Sequence, residues 1–140
     1  MPVAYVAGPY TDARGTWFVQ ENIRRAAEVA RSLWRMGFAV ICPHTNSAMM
    51  GGTDLAEQAF LDGDIAMLGR CDVLVLLDDW ERSKGTLGEM DCALQRGIPI
   101  IRWYKVTELR AFAQTFSERA ANNGDGDVES CRIIAREEQA

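Results

Sequence analysis

One histidine stands in the whole chain, and its four cysteines form no CxxC pair. Zinc sites draw on several His and Cys at short spacing, so a multi-histidine metal centre is excluded and no metal is expected. Cys42, Cys71, Cys92 and Cys131 are scattered, three of them in or beside apolar runs. That fits reduced, partly buried thiols rather than a disulfide framework. No apolar run approaches the ~20 residues that cross a bilayer. The start, Met1-Pro2-Val3-Ala4-Tyr5, has no basic stretch of the kind that opens a secretion signal. The reading is a soluble, cytoplasmic protein with no membrane partner. A basic excess is missing too: 20 Asp and Glu face 15 Lys and Arg, a net charge of -5. Duplex nucleic acid needs clustered cations and is not expected as a partner. A small anion such as one nucleotide stays open, because local donors can hold it.

The 140 residues, 48% of them apolar, suffice for one domain with its own core. Short apolar runs at 3–7, 38–42, 73–77 and 98–101 read as buried strands. Helical spacing predicts helices over 18–36, 86–96 and 106–121, with Gly37 and Gly97 as stops. A further helix is expected over 54–69, with a break near Asp62-Gly63, and residues 44–52 read as a loop. Strands alternating with helices imply a small doubly wound α/β sandwich around a parallel sheet of four to five strands. The domain is expected to span 1–121, followed by a polar, acidic tail over 122–140.

Chemistry-bearing residues fall just past the strand ends, where open α/β sheets bind ligands. Gly8-Pro9-Tyr10 follows the first strand. It is not GxGxxG, and Pro9 removes an amide that a pyrophosphate would want, so a dinucleotide cofactor is unsupported. Tyr10 is either a turn residue or a phenol over the sheet edge. His44 and Asn46 follow the second strand and read as a polar loop or as base and sugar contacts. Asp64 either faces solvent or points into the cleft. Ser83-Lys84-Gly85-Thr86-Leu87-Gly88-Glu89 follows the third strand. Thr86 to Glu89 fits the S/T-x-x-E capping box, while Ser83 and Gly85 make an anion-receptive turn at a helix N-terminus. Glu89 is thus a cap or a working carboxylate.

Taken in order, Tyr5-Val6-Ala7-Gly8-Pro9-Tyr10, Asp64, Cys71-Asp72, Ser83-x-Gly85-x-x-x-Glu89 and Gly97-Ile98-Pro99-Ile100 resemble the nucleoside 2-deoxyribosyltransferase superfamily over about residues 3–101. The resemblance implies Glu89 as nucleophile, Tyr10 as the residue that orients it and Asp64 as the residue that assists the leaving base. Family members acting on free nucleosides carry Asp six positions before the nucleophile, whereas related 5′-nucleotide N-glycosidases carry Ser. Here that position is Ser83, beside Lys84, which suits a phosphate. Gly8, Gly85, His44 and Asn46 complete the expected substrate contacts. The resemblance also implies a homodimer or higher homo-oligomer and no cofactor. The expected activity is N-glycosidic cleavage, by hydrolysis or transfer, of a nucleoside 5′-monophosphate. The alternative is a non-catalytic nucleotide or nucleotide-sugar binder on the same fold.

Overall fold

In the computed structural model, residues 1–50 and 54–123 are described. The expected tail from 124 onward and residues 51–52 of the expected loop lie outside the described residues. Strand β1 (Val3–Ala7) leads to helix α1 (Thr16–Arg35), then β2 (Ala39–Ile41), a single helical turn α2 (Pro43–Asn46), and α3 (Glu57–Leu68). Strand β3 (Val73–Leu76), a 3-10 turn (Trp80–Arg82), α4 (Lys84–Gln95), β4 (Ile100–Arg102) and α5 (Val106–Asn122) complete the order. All strand pairs are parallel, in the order β2-β1-β3-β4.

Alternation along the strands divides the core into two layers. Ala4, Val6, Val73 and Val75 pack with Ala26, Ala30 and Leu33 of α1 and with Leu109 and Ala113 of α5. Tyr5, Ala7, Leu74 and Leu76 point the other way, toward Leu68 of α3 and Ala93 of α4. Helices therefore cover both faces, as a parallel sheet requires. The chain winds outward in opposite directions from β1 and β3, so a crevice opens past the C-terminal ends of these neighbours. The Gly8 and Leu77 loops border it.

Both expected glycine stops have a clear geometry. Gly37 (φ 95°) and Gly97 (φ 68°) sit in the left-handed region after α1 and α4. Phe38 N donates to Leu33 O at 3.1 Å and Ile98 N to Ala93 O at 2.8 Å, closing each last turn in the Schellman pattern. That use of Ile98 explains why β4 begins only at Ile100 and not at 98. Two further expectations change. Helix α3 runs unbroken through Asp62-Gly63; Gln58 Nε2 donates to Asp62 Oδ1 at 2.7 Å across one turn, and one glycine costs too little to stop a helix. The expected 44–52 loop begins inside a helical turn, started by Pro43 at its first position, where the missing N–H costs nothing.

Close approach, not φ, makes Gly8 necessary. A Cβ there would lie 2.7 Å from Leu77 Cβ, at the point where β1 and β3 part. Gly8→Ala is therefore expected to destabilise the fold by about 1–3 kcal/mol, read as a lower urea midpoint. An unchanged midpoint would contradict this packing.

Candidate active site

The crevice is a cavity of about 760 Å³. Its wall is built by the β1–α1 loop, α2, one side of α3 and the start of α4. Of the residues singled out from sequence, Gly8, Tyr10, His44, Asp64, Ser83, Lys84, Gly85 and Glu89 all line it. Asn46 does not: it is exposed, and its Nδ2 reaches only Met67 Sδ at 3.9 Å.

Glu89 projects from the second turn of α4 and accepts a 2.7 Å hydrogen bond from the Tyr5 hydroxyl. The phenol on the carboxylate is thus Tyr5, not Tyr10. Period-two alternation aims the fully buried Tyr5 at the α3/α4 layer, whereas Tyr10 lies beyond the strand. Tyr10 is 40% exposed, and its ring sits 5.8 Å from that of His44. A sequence signal existed: a lone phenol inside an apolar strand needs a buried partner for its hydroxyl.

The capping-box reading also changes. The cap of α4 is Ser83, one turn earlier than expected; its Oγ accepts from Thr86 N at 3.2 Å and from Thr86 Oγ1 at 2.9 Å. Glu89 is free of capping duty. Burial pushes its carboxyl up to about 7; the charge of Asp64 adds to this, while the Tyr5 bond opposes it. Burial also raises the Asp64 carboxyl, and Asp64 faces the cavity, not open solvent. The Tyr5 hydroxyl is raised by its own burial and by Glu89, so it remains a donor.

Ser83 caps α4 at a point where hydrogen-bond donors are left open. With two bonds accepted, the one proton on Oγ is left to give. The amides of Lys84 and Gly85, the first two of α4, have no hydrogen-bond partner among the described residues. Arg82 and Lys84 flank Ser83 in the cavity wall, and neither forms an ion pair among the described residues. Arg14 and Arg25, also in the wall, do: Arg14 pairs with Asp12 at 2.7 Å and Arg25 lies 3.9 Å from Asp79. Arg82 escaped notice in the sequence because it lies just before the Ser83 to Glu89 stretch.

His44 is enclosed, with 4% of its surface exposed. Its Nε2 lies 2.9 Å from the Pro9 carbonyl, which can only accept, so Nε2 carries the proton. Burial lowers its pKa and keeps the ring neutral. His44 thus fastens α2 to the β1–α1 loop. Asn22, which sequence reasoning missed, fastens the same loop from α1 by donating to Tyr10 O at 3.2 Å. Among the described residues no group of His, Cys, Asp and Glu could hold a metal, and no helix is long and apolar enough to cross a membrane.

Helices on both faces of a four-stranded parallel sheet, with a cavity at its switch point, define an α/β protein of the doubly wound type. A 2-deoxyribosyltransferase from Bacillus psychrosaccharolyticus superposes with a TM-score of 0.52 at 18% identity, over 71% of this chain and 70% of that one. A conserved protein from Enterococcus faecalis V583 gives 0.51 at 20% identity, over 73% of this chain and 62% of that one. At these identities the likeness is one of fold. By sequence, the chain belongs to the family described as a domain of unknown function, DUF4406, which matches residues 2–102. No curated protein matches the sequence.

The raised carboxyl of Glu89 ties stability to pH. The folded state holds this proton from the ordinary 4.5 up to about 7, so stability is highest below the ordinary value and falls as pH rises through about 7. Glu89→Gln keeps the acceptor for Tyr5 and removes the charge. It should be more stable than the parent by roughly 2–3 kcal/mol at about pH 8. The gain should vanish below about pH 4, as read from urea unfolding across pH. Equal stabilities at both ends would contradict a buried, proton-holding Glu89.

Proposed function

We propose that this chain cleaves the N-glycosidic bond of a nucleoside 5′-monophosphate, most readily a deoxynucleotide, with Glu89 as nucleophile. The observation that carries the reading is Glu89 on the cavity wall, held from behind by the buried Tyr5, with Asp64 close enough to act on both through its charge. The fold shared with a 2-deoxyribosyltransferase supports the class of reaction.

The ionised Glu89 attacks C1′ as the C1′–N bond breaks through an oxocarbenium-like state. The two carboxyls share one proton, and in the reactive form it sits on Asp64, which gives it to the departing base. Water then attacks C1′ of the glycosyl-enzyme, Asp64 takes up the water proton, and Glu89 is released. A second base in place of water gives transfer. Tyr5 holds the nucleophile in line and lowers its pKa toward working pH, which is the orienting role first assigned to Tyr10. Ser83, Lys84, Arg82 and the open amides of α4 receive the phosphate. Gly85 leaves the α4 N-terminus open there, while Gly8 and the Tyr10 and His44 rings form the wall. A cytoplasmic homo-oligomer is part of the same reading.

Pure protein incubated with the common ribo- and deoxyribonucleoside 5′-monophosphates should release free base, seen by chromatography. Glu89→Ala should lower the rate about a thousandfold or more. Tyr5→Phe should lower it roughly tenfold to a hundredfold and move the acidic limb of the pH profile upward, because the bond that favours the ionised carboxylate is lost. No base from any nucleotide, with a ligand recovered intact that raises Tm, would replace this reading with the non-catalytic binder.

A further inference from the structure

Helix α3 is unusual in this fold because Leu68 is the only one of its residues that is fully buried. Met67 packs beside Leu68 against the core, whereas Phe60 and Leu61 turn to the cavity. Glu57, Phe60, Leu61 and Asp64, at i, i+3, i+4 and i+7, all line the cavity, so one continuous face of the helix is a wall of the site. Phe60 and Leu61 form an apolar step in the middle of that face, and Leu61 remains 42% exposed. A carboxylate stands at each end. About 10 Å of helix axis separates Glu57 from Asp64, room for a flat ring seated on Phe60 and Leu61 between them.

Charge is sorted across the cavity. The cations of the wall, Arg14, Arg25, Arg82 and Lys84, come from the β1–α1 loop, α1, the 3-10 turn and the start of α4. The α3 face carries none. Glu57 forms no ion pair or hydrogen bond among the described residues, unlike Asp12 and Asp79, whose charges are met by Arg14 and Arg25. The two sides therefore suit opposite ends of one ligand: phosphate at Ser83, base on α3.

We infer that the α3 face is a base subsite selecting nucleobases that carry an exocyclic amino group, with Glu57 as the acceptor of that group. This rests on the proposed reading of the cavity as a nucleotide site. A carboxylate only accepts. An amino group on the outer edge of cytosine meets it with a donor, whereas the oxo group at the same position of uracil brings two acceptors together. Phe60 and Leu61 offer no donor to that oxo group, so it loses its water without replacement. The apolar step supplies stacking and burial for any base, and Glu57 supplies the discrimination.

The closest pair for a test is dCMP and dUMP, equal in size, sugar and phosphate. Titration calorimetry on Glu89→Gln, which prevents turnover, should show dCMP binding roughly tenfold or more tightly than dUMP. In the Glu57→Gln, Glu89→Gln double variant the ratio should fall to within about threefold, because a carboxamide both donates and accepts. Circular dichroism and Tm then check that the fold is kept. Equal affinities in the single variant, a ratio that survives Glu57→Gln, or no binding of either nucleotide would each overturn the inference. Turnover by the parent protein separates it from the reading it rests on. Equal base release from dUMP and dCMP removes the subsite and leaves the glycosidase standing. A dCMP preference in binding with no base release removes the glycosidase and leaves the subsite.

Discussion

The hydrogen bond from Tyr5 to Glu89 joins the centre of the sheet to the first half of α4, and much of the remaining architecture serves it. A phenol with no exposed surface cannot be left without an acceptor, and a largely enclosed carboxylate cannot be left without a donor. Each therefore fixes the other. The bond is possible because alternation along β1 sends Tyr5 to the α3/α4 layer. It also needs Ser83 to start α4 early enough to place Glu89 one and a half turns in. The consequence is a carboxyl held near neutrality, which costs stability at alkaline pH and gains a group able to ionise where it is used.

The cavity depends on the switch in strand order between β1 and β3, where the two loops diverge. Gly8 packs against Leu77 at the parting point. Beyond it the β1–α1 loop is held on both sides, by Asn22 from α1 and by His44 from α2. These contacts keep one wall rigid. The opposite wall, α3, buries only Leu68 fully and turns Glu57, Phe60, Leu61 and Asp64 to the cavity. Charge follows the same division: Arg82 and Lys84, with no ion pair among the described residues, stand by the α4 N-terminus, and carboxylates stand on α3. An acidic protein can in this way present a local site for an anion.

Much of the fold was legible because it rests on local rules. The apolar runs at β1 and β3 and the helical spacing of α1 read directly, and Gly37 and Gly97 marked both stops. Most of the residues singled out from their place after strand ends do line the cavity, Ser83 and Glu89 above all. What the sequence hid was orientation. Tyr5 was concealed inside an apolar run, so the more visible Tyr10 was given its place. The S/T-x-x-E spacing at Thr86 matched a cap that Ser83 in fact supplies. Asp64 could not be assigned a direction because α3 carries no apolar stripe to fix its rotation, and for the same reason Glu57 went unnoticed. Asn46 sat near the right strand end, but the turn of α2 carries it out of the cavity.

Glu89 is a half-buried carboxyl poised near neutrality by its surroundings. Carbon-13 NMR of glutamate-labelled protein, with Glu89→Gln to assign the signal, measures that directly. The predicted result is a side-chain carboxyl titrating at about 7 and moving higher still in Tyr5→Phe, where the bond that favours ionisation is gone. A midpoint near the ordinary 4.5, unmoved by loss of the Tyr5 hydroxyl, would contradict it.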